Sequence, residues 1–162
     1  MLEPFVTAIE VPCGQEKAFK VFVHDMGAWW PLHKRSMSMH KGKPAKSLSI
    51  DPKVGGRIVE LGHDGTKHHW GTIESYDPYN SVGMAFHMGL PPSQASRVDV
   101  RFTPLAKDRT RVELTQSNWE GFGDMAEMMR GSYPSGWVII FEQAYKAACG
   151  GRAGIVTELP PQ

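Results

Sequence analysis

The feature that most constrains this chain is a single helical stripe near its end. In residues 133–149, Trp137, Phe141, Ala144, Tyr145 and Ala148 recur at three- and four-residue steps. That spacing brings side chains onto one face of an α-helix. Gly150 and Gly151 follow and predict the stop, because glycine enters the left-handed conformation without a steric penalty. Much of the chain before this stripe alternates apolar and polar residues with a period of two, the signature of half-buried antiparallel strands. One long amphipathic helix must then cover the apolar face of one sheet. The expected class is α+β: a curved antiparallel sheet of about six to seven strands wrapped around a C-terminal helix.

Length and composition bound the rest. A chain of 162 residues that is 41% hydrophobic and 22% charged can bury a core and is not of disordered composition. One domain over residues 1–150 and a loosely held tail over 151–162 are expected. The net charge of +1 supplies no basic stripe for nucleic acid or an anionic membrane. Residues 33–46 are locally basic and read as a solvated loop, long enough to act as a lid. The start of the chain has no basic segment leading into an apolar core, and no apolar run approaches the ~20 residues of a membrane span. Neither a secretory signal nor a membrane helix is expected, and the expected location is cytoplasmic. Cys13 and Cys149 form no disulfide framework; a bridge is possible in principle, and reduced thiols are expected.

Phe5, Thr7, Ile9 and Val11 alternate with polar or small neighbours and predict a first strand over 4–11, closed by Pro12. A short helix over 15–23 follows, with Ala18, Phe19, Phe22 and Val23 on one side. Residues 26–31 read as a compact aromatic turn or short helix. Strands are then expected over 47–51, 57–62, 67–76, 81–88, 97–105 and 111–119. Asp64-Gly65 predicts a two-residue hairpin turn between the second and third of these, since such turns need positive φ at both central residues. Val98, Val100 and Phe102 oppose Arg97, Asp99 and Arg101, which places the charged set in solvent. A short methionine-rich helix over 123–130 leads into the long one.

Several short motifs then fall into a recognisable order. They are VP-x(5)-AF from Val11, the pair Trp29-Trp30, P-x-V-GG-R from Pro52, WGTIESYDP from Trp70, RVDVRFTPL from Arg97, TRVEL from Thr110 and SGW from Ser135. Together they resemble the SRPBCC (START-like) superfamily, in its branch of activator of heat-shock-protein-90 ATPase homologues, across about residues 5–149. The resemblance implies a helix-grip fold with a hydrophobic cavity between sheet and helix. It also implies two kinds of partner, a small hydrophobic ligand and a chaperone, with self-association a further possibility. Ser75 stands where such family members usually carry a glutamate, which leaves any role of that carboxylate without a residue here.

Binding of a small hydrophobic or aromatic ligand is therefore the leading expectation. Met84, Phe86, Met88, Phe102, Leu114, Met128, Met129, Trp137 and Phe141 are expected to converge between sheet and helix. The expected ligand-binding set is Trp30, Met84, Phe86, Phe102, Leu114, Trp119, Met129, Trp137 and Phe141, and methionine suits varied apolar ligands because it is flexible and polarisable. A co-chaperone-like interaction module is the second reading. The third is an enzyme of cyclase or hydrolase type. Counting back from a two-residue Asp64-Gly65 turn pairs Glu60 with His69 and Leu61 with His68, and a Glu60–His69 pair on the cavity wall would be an acid–base unit. On that count Ile58, Glu60, His69 and Ile73 share one face and Val59, Leu61 and Trp70 the other, with the inward face left open.

Other chemistry finds no footing. His63, His68 and His69 do not suit a metal, because adjacent strand residues point to opposite faces and no cysteine or aspartate stands at ligand spacing. Gly121–Ala126 matches a loose G-x-G-x-x-A, but that fingerprint works only inside a parallel βαβ unit. There is no nucleophile elbow and no P-loop. No cofactor is expected.

Overall fold

The computed structural model describes residues 2–33, 42–88 and 90–150. Most of the expected basic lid segment and the expected tail lie outside the described residues. Seven strands form one antiparallel sheet: β1 (Phe5–Val11), β2 (Ser47–Ile50), β3 (Arg57–Leu61), β4 (Lys67–Asp77), β5 (Ser81–Phe86), β6 (Ser96–Ala106) and β7 (Arg109–Ser117). Their order across the sheet is β1-β7-β6-β5-β4-β3-β2. The strands from β2 to β7 form a meander, and β1 closes onto β7 with Phe5 opposite Gln116 and Val11 opposite Thr110. Helices α1 (Gln15–Val23) and α2 (Met26–Trp29) bridge β1 to the far edge.

Strand alternation sets the core. Val98, Val100, Phe102, Val112 and Leu114 are buried on the concave face, where Val82, Met84 and Phe86 join them. On the outer face Arg97 pairs with Glu74 at 2.9 Å and Asp99 at 3.0 Å, and donates to the Ser75 hydroxyl at 3.2 Å. Ser75 is thus an exposed outer-face residue, far in direction from the concave side.

The helix that fills the concavity is longer than the sequence suggests. Asn118, with φ of 57°, turns the chain out of β7 into a 3-10 segment, Trp119–Met125, interrupted at Gly123, whose φ is 64°. From there α3 (Ala126–Trp137), a π-helical segment (Val138–Tyr145) and α4 (Lys146–Cys149) run without a break. The expected separation into a methionine-rich helix and a final helix does not occur. Pro134 sits inside α3, and the missing proline N–H costs one backbone bond without stopping the helix. The helix stops at Cys149, where the glycines predict, but Gly150 does not take the left-handed conformation. Gly150 has φ of −87°, and its N–H caps the carbonyls of Lys146 and Ala147.

The expected helical stripe holds. Trp137, Phe141, Ala144 and Tyr145 are buried, and Ile140 and Cys149 join them. Met128, expected in the core, is 61% exposed because it falls on the outer side of α3. Side-chain bonds fix the helix against its cradle. The Tyr145 hydroxyl donates to the Ala18 carbonyl at 2.7 Å, and Thr7 donates to Glu142 at 2.9 Å. Cys13 and Cys149 are both free and buried. No helix among the described residues is long and apolar enough to cross a membrane.

Candidate functional site

The β3–β4 hairpin corrects the expected register by one residue. The Gly62 N–H bonds the Thr66 carbonyl at 2.7 Å, so the loop is the three residues His63, Asp64 and Gly65. Gly65 takes φ of 86° at the last loop position, and the Asp64 carboxylate accepts from the Thr66 N–H at 3.0 Å. A three-residue loop ending on a left-handed glycine is the next commonest hairpin after the two-residue turn. It pairs Leu61 with Lys67, Glu60 with His68 and Val59 with His69. A slip of one residue exchanges the faces, so Glu60 and His69 do not form the expected pair.

Glu60 is fully buried on the inner side beside Ile58 and Trp70, and the Trp70 indole donates to its carboxylate at 3.0 Å. His69 is half-buried, with Nε2 at 2.8 Å from the Gly71 carbonyl and 3.1 Å from the Thr72 hydroxyl. A bulge between Ile58 and Val59 carries Trp70 inward with Ile58, against the expected grouping of Trp70 with Val59 and Leu61. Gly71 follows, at a position where a Cβ would strike the Ala85 carbonyl oxygen. The close approach of β4 to β5 thus depends on glycine.

Between β5 and the N-terminal half of the helix lies a cavity of about 390 Å³. Trp30, Phe86, His87, Trp137 and Ile140 form its buried part. Met88, Leu90, Met125, Met129 and Tyr133 are half-buried and Ser132 is exposed, so these residues ring its mouth. The aromatic walls are continuous, with Phe86 and Trp137 rings 6.1 Å apart and Phe86 and Tyr133 rings 6.3 Å apart. A cavity of this size falls in the range of small-molecule sites, roughly 300–1,000 Å³.

Four of the nine expected ligand-binding residues meet at this cavity: Trp30, Phe86, Met129 and Trp137. Met84, Phe102, Leu114, Trp119 and Phe141 are buried in the packed interior and do not line it. Sequence reasoning passed over His87 and Tyr133. His87 continues β5 past its last strand residue, where its N–H bonds the Trp70 carbonyl at 2.8 Å. The next residue, Met88, takes φ of 42°, a left-handed strain for a side chain of that size. The His87 ring meets the His69 ring edge-on at 4.6 Å, and neither of its nitrogens has a hydrogen-bond partner among the described residues. Burial, and then the neighbouring His69, lower its pKa. His87 is therefore a neutral imidazole at neutral pH. The signal that could have found it was position: a polar residue directly after an apolar strand.

A chain of buried polar groups links two of the residues that line the cavity. The Trp137 indole donates to Gln116 at 2.8 Å, Gln116 donates to the Ser96 hydroxyl at 2.9 Å, and Ser96 donates to the Phe86 carbonyl at 2.9 Å. Trp137 and Phe86, neighbouring rings of the cavity wall, are thereby tied through β7 and β6. Among the described residues no group of three or more histidine, cysteine or acidic side chains could hold a metal ion.

The family described as activator of Hsp90 ATPase homolog 1-like protein matches residues 15–143. Among solved structures, an anthrahydroquino-gamma-pyrone synthase, Txn09, is 29% identical with a TM-score of 0.59, over 82% of this chain and 87% of that one. The self-sacrificing resistance protein CalC from Micromonospora echinospora is 19% identical with a TM-score of 0.61, over 96% and 94%. The Aha1 dimer from Colwellia psychrerythraea is 17% identical with a TM-score of 0.62, over 94% and 100%. At the two lower identities the likeness concerns the fold. No curated protein matches the chain.

Proposed function

The chain belongs to the activator of Hsp90 ATPase homolog 1-like family, and on that footing we propose that it binds a small apolar or aromatic molecule in the 390 Å³ cavity. The observation that carries the reading is the cavity's make-up. Rings and methionine side chains surround a space in an otherwise tightly packed interior, and one wall holds a buried imidazole with no hydrogen-bond partner among the described residues. Such a mixture, mostly apolar with a few convergent polar groups, is the common pattern of ligand sites. The 29% identity to a synthase whose name denotes a polycyclic aromatic product supports an aromatic occupant.

Trp30 and Trp137 make the test direct. Titration with 1-aminoanthracene should quench tryptophan emission saturably, and Gly136→Phe, which puts a ring into the cavity from the helix, should abolish the effect. If neither this probe nor a panel of hydrophobic compounds binds saturably, the reading falls. A second reading, interaction with a chaperone, has the family match as its specific support. It predicts that the protein changes the ATPase rate of an Hsp90-type chaperone, and an unchanged rate at saturating protein would dismiss it.

A further inference from the structure

We propose that Cys13 and Cys149 are a thiol pair that a small-molecule disulfide oxidises to an intramolecular bridge, which clamps the C-terminal end of the central helix to the connection between β1 and α1. Neither cysteine lines the cavity, so the pair is independent of the ligand reading.

The fold brings together the only two cysteines of the sequence from near its opposite ends. Cys13 lies in the three-residue connection between β1 and α1, and Cys149 is the last residue of α4. Both are free and buried. Their chain neighbours meet, since a Cβ at Gly150 would lie 3.5 Å from the Pro12 ring. The two side chains also interact directly, thiol to thiol. Each backbone is anchored where it stands. The Thr110 hydroxyl donates to the Cys13 carbonyl at 2.8 Å. The Tyr145 hydroxyl, one turn before Cys149, donates to the Ala18 carbonyl at 2.7 Å. A disulfide requires such an arrangement, with sulfurs in reach of one another on backbones that need not travel to meet.

Burial sets how the bridge can form. It raises the pKa of both thiols, that of Cys149 to about 12, so neither is a thiolate at neutral pH in the closed fold. Attack waits for an opening of the β1–α1 connection or of the last helical turn. In the opened form Cys13 gives its proton to solvent, and its thiolate attacks one sulfur of glutathione disulfide and expels a glutathione thiolate. The Cys149 thiolate then attacks the Cys13 sulfur of that mixed disulfide and expels the second glutathione. Two protein thiols are oxidised to one disulfide, glutathione disulfide is reduced to two glutathiones, and the two protons end on these. The packing that slows closure then shields the bridge from reductants.

The test holds the full chain at neutral pH in a mixture of oxidised and reduced glutathione, once folded and once during refolding from urea. Peptide mapping without reduction should find one cross-link, between the peptides that carry Cys13 and Cys149, in a monomeric protein. Bridged protein should melt roughly 10 °C above the reduced form, because the closed loop spans nearly the whole domain. Oxidation of the folded protein should be slow and should accelerate with urea, whereas Cys149→Ala should stop at a glutathione adduct on Cys13. Refolding removes the barrier of access. Free thiols, two glutathione adducts or a disulfide between two chains after refolding therefore overturn the pair as a bridge site. A bridge that leaves the Tm unchanged or lowers it overturns the clamp.

Discussion

The two halves of the central helix meet the same sheet on very different terms. At the C-terminal half, Phe141 and Tyr145 stack with ring centroids 5.6 Å apart, and both engage Phe22, which also meets Trp29 and Phe102. Helix α1 closes over this end with Ala18, Phe19, Phe22 and Val23 fully buried. At the N-terminal half the helix offers Met125, Met129, Ser132 and Gly136, flexible or small side chains, and the space they leave is the cavity. The closed end uses its residues to hold the helix in the sheet. The open end inherits a fixed wall that it does not have to build. A ligand site inside a small fold needs this division, because an unfilled space costs stability that packing elsewhere must offset.

The sharpest way to break the comparison is at the closed end. Phe141→Ala should cost ~3–5 kcal/mol in denaturant unfolding, since the ring is fully buried among other rings. A loss under ~1 kcal/mol would mean the helix is not gripped there. Next comes the polar tie between the halves. Gln116→Leu removes the acceptor of the Trp137 indole and the donor to Ser96. Leaving a buried N–H unpaired should cost ~1–3 kcal/mol. The Trp137 emission spectrum should shift as well, and an unshifted spectrum at unchanged stability would show that the tie does not hold Trp137 in place.

This contrast was partly legible in the sequence. The stripe of Trp137, Phe141, Ala144 and Tyr145 and the alternation through Val98, Val100 and Phe102 were enough to give the sheet, the helix and the faces that meet. Period is a local property, and burial follows it. Register and voids are not local. Asp64-Gly65 satisfies a two-residue turn as well as the last two positions of a three-residue loop, and only the pairing of Gly62 with Thr66 decides between them. That single residue separates Glu60 from His69. Pro134 lies at the start of the helix expected over 133–149, yet α3 begins at Ala126 and runs through it. The cavity was legible mainly through the family resemblance, with the methionines and tryptophans as support. Which of these line it depends on where α1 closes the core and where it does not, and no spacing along the chain records that.

The open end also carries a pH signature. Burial, and then His69, lower the His87 pKa below its ordinary value of 6.5. Below about pH 6.5 the unfolded chain takes up a proton that the folded chain still refuses. The stability that comes from the neutral imidazole is therefore present above that pH and is lost as pH falls through the folded-state pKa. Urea midpoints at about pH 7.5 and about pH 5.5 should differ less for His87→Gln than for wild type. An equal acid-side loss in both would place the titration elsewhere.

The smallest expected effect tests the open end directly. Met129 lines the cavity and is half-buried, so part of its side chain already faces space rather than atoms. Truncation to alanine removes fewer contacts than at a filled site and enlarges a void that exists. The cost should stay below ~1 kcal/mol, against the ~2–5 kcal/mol usual for a methionine in a packed core. Affinity for a bulky aromatic probe should hold or rise, because the mouth widens while Trp30, Phe86 and Trp137 keep their places. A loss comparable to that of Phe141→Ala would mean the two halves of the helix are packed alike, and the distinction between a gripped end and an open one would have to be given up.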